Sequence, residues 1–111
     1  NNMLESKFGT LKGKEDPYGV YIGKYVEIIA QNTNYCGRYQ GISESEDIVL
    51  NPHIRREFHI TDKDEKREPI FTIIEEPLFI NRHVMQSLTS VREEYITSLV
   101  KGKEIILPHM A

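Results

Sequence analysis

Between Ile48 and Ile60 the even positions carry Ile48, Leu50, Ile54, Phe58 and Ile60, broken only at Pro52 and Arg56, while Asn51, His53, Arg55, Glu57, His59 and Thr61 are polar. A period of two sustained this long predicts one extended strand with a single apolar face, and Pro52 predicts a bulge or bend, because proline removes a ladder donor. Upstream, Tyr25-Val26-Glu27-Ile28-Ile29-Ala30 has the β-branched, alternating character of a strand, and the turn residues Gln31-Asn32-Thr33-Asn34 lead into Tyr35-Cys36-Gly37-Arg38-Tyr39-Gln40-Gly41-Ile42. This predicts a hairpin. Ser43 to Asp47 is polar and acidic, so the three strands form a strongly bent antiparallel meander.

Beyond the meander, Ile70-Phe71-Thr72-Ile73-Ile74 and Leu78-Phe79-Ile80 are strand candidates separated by Glu75-Glu76-Pro77. The period then changes. Val84, Met85, Leu88, Val91, Tyr95 and Leu99 step by three and four, which predicts a helix from the cap residue Asn81 to about Glu93, beyond which the pattern is open between helix and strand. Tyr95 to Val100 is rich in β-branched residues, and Lys101-Gly102-Lys103-Glu104 reads as a tight turn before Ile105-Ile106-Leu107-Pro108, so two closing strands are expected. Residues 1–19 form an arm with frequent glycines and a turn at Asp16-Pro17-Tyr18-Gly19. The seven charged residues from Asp62 to Glu68 read as a solvated loop whose signs nearly cancel.

A chain of 111 residues makes one domain, here spanning 20–108. With 39% apolar and 28% charged residues, its surplus of polar surface favours completing a modest core by pairing with copies of itself. The net charge of -3 excludes a protein that coats nucleic acid by charge alone, so any such contact must be local. One cysteine, Cys36, excludes an internal disulfide and a multi-thiolate metal site and points to a reducing, cytoplasmic home. No apolar run is long enough to span a membrane. No metal, cofactor or enzymatic activity is expected: His53 and His59 stand about 20 Å apart along one strand face, and neither a nucleophile elbow nor a phosphate loop is present. Tyr18, Tyr21, Tyr25, Tyr35 and Tyr39, interleaved with Lys24 and Arg38, read either as a base-stacking surface or as packing residues.

The stretch Gly23-Lys24-Tyr25-Val26-Glu27-Ile28, then Tyr35-Cys36-Gly37-Arg38-Tyr39, then Asp47-Ile48-Val49-Leu50 resembles the first motif of the Sm and Sm-like proteins. The family's second motif, apolar-Arg-Gly, two variable residues and Ile, is similar to Val100-Lys101-Gly102-Lys103-Glu104-Ile105. A competing placement at Ile80-Asn81-Arg82-His83-Val84-Met85 keeps the usual distance from the third strand. The later placement is preferred because it retains a basic residue and a glycine, and it makes 61–93 a long helical or extended insertion.

The resemblance implies a mainly β fold, a small, strongly bent, five-stranded antiparallel barrel. Its fourth strand pairs with the fifth of a neighbouring subunit to close a ring of six or seven. It implies binding of uridine-rich single-stranded RNA at the inner rim, with Ser45, Asp47, Lys101 and Gly102 at the base pocket. The alternative is a protein-interaction module of the same fold, with a decayed pocket and the insertion as its docking surface.

Overall fold

A computed structural model describes residue 10 and residues 16–60 and 67–105, excluding the side chains of 58–60, 67–68 and 101–105. Its strands are β1 (Tyr25–Ala30), β2 (Thr33–Ile42), β3 (Asp47–Ile60), β4 (Arg67–Ile74), β5 (Leu78–Asn81) and β6 (Met85–Ser90), followed by one helix, α1 (Glu93–Ile105). All six strands belong to one antiparallel sheet in the order β4-β3-β2-β1-β6, with β5 also on β3. Among the described residues the sheet is not closed.

The expected hairpin is present. Ala30 faces Thr33, and the two residues between them, Gln31 and Asn32, have φ of 53° and 62°, the left-handed pair that matches the twist of a tight hairpin. At Pro52 the register from Leu50 to His53 takes three steps on β3 against two on β2, which is the bulge predicted there. Gly37 lies opposite, where a Cβ would come within 2.8 Å of both Leu50 Cβ and the Pro52 carbonyl oxygen. Only glycine permits that approach.

β4 and β5 are two pieces of one return path along β3. His53 faces Ile74 and Leu50 faces Leu78, so Glu75-Glu76-Pro77 adds one residue to the returning side. Counted by passes of the chain, the sheet is five wide. Val26, Ile28, Ala30, Tyr39, Ile42, Ile48, Leu50 and Ile80 form its buried core, and Tyr18, Tyr21, Leu78, Val84, Met85 and Leu88 pack around them.

The second half of the chain corrects three expectations. Instead of a helix from Asn81 to Glu93, a single 3-10 turn (Arg82–Val84) leads into β6, which pairs with β1. The reason is a bulge: Ala30 faces Met85 while Ile29 faces Ser87, leaving Gln86 as an extra residue. Met85 and Leu88 thereby pack on the same core from three positions apart, which mimics helical spacing. Second, no insertion separates 61–93 from the sheet, because 67–74, 78–81 and 85–90 are sheet strands.

Third, the expected strand from Tyr95 to Val100 is helical, as is the expected turn at Gly102. Glu93 and Glu94 occupy the first helical turn, where carboxylates suit the dipole, and Ile96 is buried. Tertiary burial outweighs the β propensity of Ile96, Thr97 and Val100. Of the strand expected over 105–108, Ile105 is the last residue of α1 and 106–108 fall outside the described residues, as do most of the 1–19 arm and residues 62–66 of the charged loop.

Candidate functional site

Two loops meet at one rim of the sheet. The first, Ser43 to Asp47, joins β2 to β3 and folds on itself: the Glu46 N–H donates to the Ser43 carbonyl at 2.9 Å, the Ser43 N–H to the Asp47 carbonyl at 2.9 Å, and the Asp47 N–H to Ser43 Oγ at 3.1 Å. Glu46 takes φ of 67° to close the turn. Ser45 Oγ lies 2.9 Å from Ser43 Oγ and donates to Asp47 Oδ2 at 3.5 Å. These short polar side chains bond their own backbone, which is why they favour a turn here.

The second loop is the 3-10 turn between β5 and β6. Asn81 caps it, accepting from the His83 N–H at 2.8 Å. The register places Asn81 opposite Asp47 at the shared end of β3 and β5. Two bonds tie the loops together: the Arg82 N–H donates to the Glu46 carbonyl at 2.9 Å, and His83 Nε2 meets Glu46 Oε1. Ser45 is exposed while Asp47 and Arg82 are half-buried, so the rim offers a hydroxyl, a carboxylate, an amide and a guanidinium.

The core also holds a buried polar pair. The Tyr39 hydroxyl, with no exposed surface, reaches Asp16 Oδ1 at 2.8 Å and Oδ2 at 3.0 Å, and the Tyr18 N–H donates to the same carboxylate at 2.8 Å. Burial, and then the adjacent carboxylate, push the Tyr39 phenol well above its ordinary range, while the charge of Arg82 pulls the other way.

The sequence-predicted site residues divide. Ser45 and Asp47 stand together on the rim. Lys101 and Gly102 lie in α1, which packs against β4, so the strand-turn-strand pocket expected at Gly102 is not formed. The side chain of Lys101, expected with Asp47 at the base pocket, is outside the described residues. Asn81, Arg82 and His83 take the place beside Ser45 and Asp47; the sequence offers them as the competing placement of the second motif, set aside for Lys101 and Gly102 and read instead as the start of a helix. The signal was there: an Asn two residues before His83 is an Asx cap, and such caps serve a one-turn helix as well as a long one.

The five tyrosines do not share an exposed surface, since Tyr25 and Tyr39 are buried and Tyr18, Tyr21 and Tyr35 pack against the core. Burial pushes the Cys36 thiol up to about 11, which keeps it protonated and unreactive at neutral pH. His53 Nδ1 is bound to the Glu76 carbonyl at 2.7 Å, and the described residues contain no group of three His, Cys, Asp or Glu side chains able to hold a metal. No helix among them is long and apolar enough to cross a membrane. Comparison of the sequence with family models gives no match, and comparison with curated proteins gives no significant relative.

Proposed function

We propose that this chain is a subunit of an Sm-like ring that binds uridine-rich single-stranded RNA where the loop after β2 meets the turn after β5. One observation carries the reading: Asp47 faces Asn81 at the junction of β5 and β6, and its neighbour Glu46 accepts from the Arg82 N–H. That junction is the competing placement of the second motif, and it supplies a basic residue one position later than the motif's frame. Asp47 accepts from a uracil N–H, Asn81 offers an amide to a base edge, and Arg82 offers a planar cation to a base or phosphate. Lys101 and Gly102 have no part in this site.

The pairing order supports the assembly. β6 and the β4–β5 path each have a strand neighbour on one side within the chain, and joining such edges between copies removes two unpaired rows of backbone groups. The competing reading, a protein-interaction module, is favoured by the carboxylates of Glu44, Glu46 and Asp47, which face a polyanion unfavourably, and by Ser45, which offers no ring to stack on. Aromatic stacking would contribute about 1–3 kcal/mol per base.

Fluorescence anisotropy with an oligouridine at low salt separates the two readings, because electrostatic attraction is then greatest. Saturable binding that weakens at least fivefold in Arg82→Ala is expected. Absence of binding at low salt removes the RNA reading.

A further inference from the structure

We propose that Glu46 and His83 form a proton-sensitive clip that positions the two rim loops against each other, holding them more tightly in mild acid than above neutral pH and strengthening the grip on RNA accordingly. For its ligand the clip rests on the RNA reading, while its response to pH belongs to the free chain.

The loop after β2 is fixed at its base. Thr10 bridges Ser43 in antiparallel register, and Gly41, at φ 120°, leaves Thr10 the room a side chain would fill, because a Cβ there would stand 2.9 Å from Thr10 Cβ. The Ser43 N–H closes the neck of the loop on the Asp47 carbonyl at 2.9 Å. The tip is Glu46, at φ 67°, and it reaches the turn after β5 twice: its carbonyl accepts from the Arg82 N–H at 2.9 Å, and its carboxylate meets His83 Nε2. The backbone bond is indifferent to pH. The side-chain bond depends on a proton. His83 is itself seated, its own N–H donating to Asn81 Oδ1 at 2.8 Å, so a change at the ring is passed to both loops.

Histidine is the side chain whose ordinary charge change falls between pH 5 and 8. A neutral imidazole offers the carboxylate a hydrogen bond, and an imidazolium adds an opposite charge at contact distance. Mild acid therefore tightens the link. Around it the described loops carry Glu44, Glu46 and Asp47 on one side and Arg82 on the other. The core against which Val84 packs adds Asp16, already engaged by the Tyr39 hydroxyl and the Tyr18 N–H. Carboxylates outnumber cations here, so a proton on His83 also lowers the repulsion that a phosphate chain meets at the rim. The His83 and Glu46 side chains are 68% and 49% exposed, so the pair exchanges protons freely with water and adds little to global stability. Its effect is on where the loops sit, with the fold unchanged.

The test compares the full chain at pH 5.5 and 7.5 by amide NMR, free and with an oligouridine. In the free protein the amides of Ser45 and Asp47 should shift between the two pH values. That shift should vanish in His83→Gln. In Glu46→Asn, which is neutral, shorter and tolerant of the left-handed turn, the response should be confined to residues 82–84, because the ring then titrates without its link to the other loop. Oligouridine should bind at least threefold more tightly at pH 5.5 than at 7.5, a ratio that falls to about one in either variant while the thermal melts stay unchanged. Shifts of the expected kind with no oligouridine binding at either pH would uphold the clip and remove the RNA reading. Amides of Ser45 and Asp47 that stay fixed, or that move equally in Glu46→Asn, would overturn the clip whether or not RNA binds, and equal RNA affinity at both pH values would overturn its role in binding.

Discussion

The two halves of β3 share apolar even positions, with Val49 the one apolar odd position, and live in different surroundings. Ile48, Val49 and Leu50 are fully buried, held between β2 on one edge and β5 on the other. From Ile54 onward the strand has β4 alone, Arg55 and Arg56 are exposed, and Ile73 of β4, which faces Ile54, is 41% exposed. Period two therefore reports a strand with distinct faces, and whether a face is buried depends on neighbours the local pattern does not specify. Elements supported on both edges make the core here, and those supported on one edge lie nearer water.

Truncation on either side of the divide tests this most sharply. Leu50→Ala should cost about 2–5 kcal/mol in urea unfolding, the range for a buried leucine. Ile73→Ala should cost less than about 1 kcal/mol, because its site is already open to water. Equal losses would dissolve the distinction between the two halves.

A smaller effect is expected at the buried polar pair. Tyr39→Phe removes the hydroxyl that meets both Asp16 oxygens and should cost about 1–3 kcal/mol by leaving a buried carboxylate short of a donor. The same pair sets an alkaline limit. Tyr39 and Cys36 are acids whose folded-state values are raised above 10.0 and 9.0, so the unfolded chain releases their protons first. Their contribution to stability is complete below pH 9.0 and is lost as pH rises, for Cys36 through about 11. Unfolding midpoints measured from pH 8 to 11 should fall accordingly, and less steeply in a Tyr39→Phe, Cys36→Ser variant.

The smallest effect is chemical. Alkylation of Cys36 by iodoacetamide at pH 8 should run at least tenfold slower than that of a cysteine peptide and recover in urea, since burial withholds the thiolate. Equal rates would mean that Cys36 is more open than its neighbours indicate.

Legibility in the sequence follows the same divide. β1 to β3, the Gln31-Asn32 turn and the bulge at Pro52 were readable because each rests on local chemistry: alternation, turn residues and a missing donor. β6 was hidden by one extra residue, Gln86, which converts a strand's spacing into a helix's. α1 was hidden by its β-branched residues, whose preference yields to the burial of Ile96. At the rim, Ser45 and Asp47 were named through the resemblance to the first Sm motif. Arg82 and His83 reach it only through the pairing of β5 with the first residues of β3, a contact far apart in sequence.

The mass of the assembled protein tests the ring most directly. Light scattering on the full chain should give six or seven times the 12.9 kDa of one copy, with the edges of β6 and the β4–β5 path satisfied between neighbours. A single-chain mass that persists as the concentration is raised would contradict it.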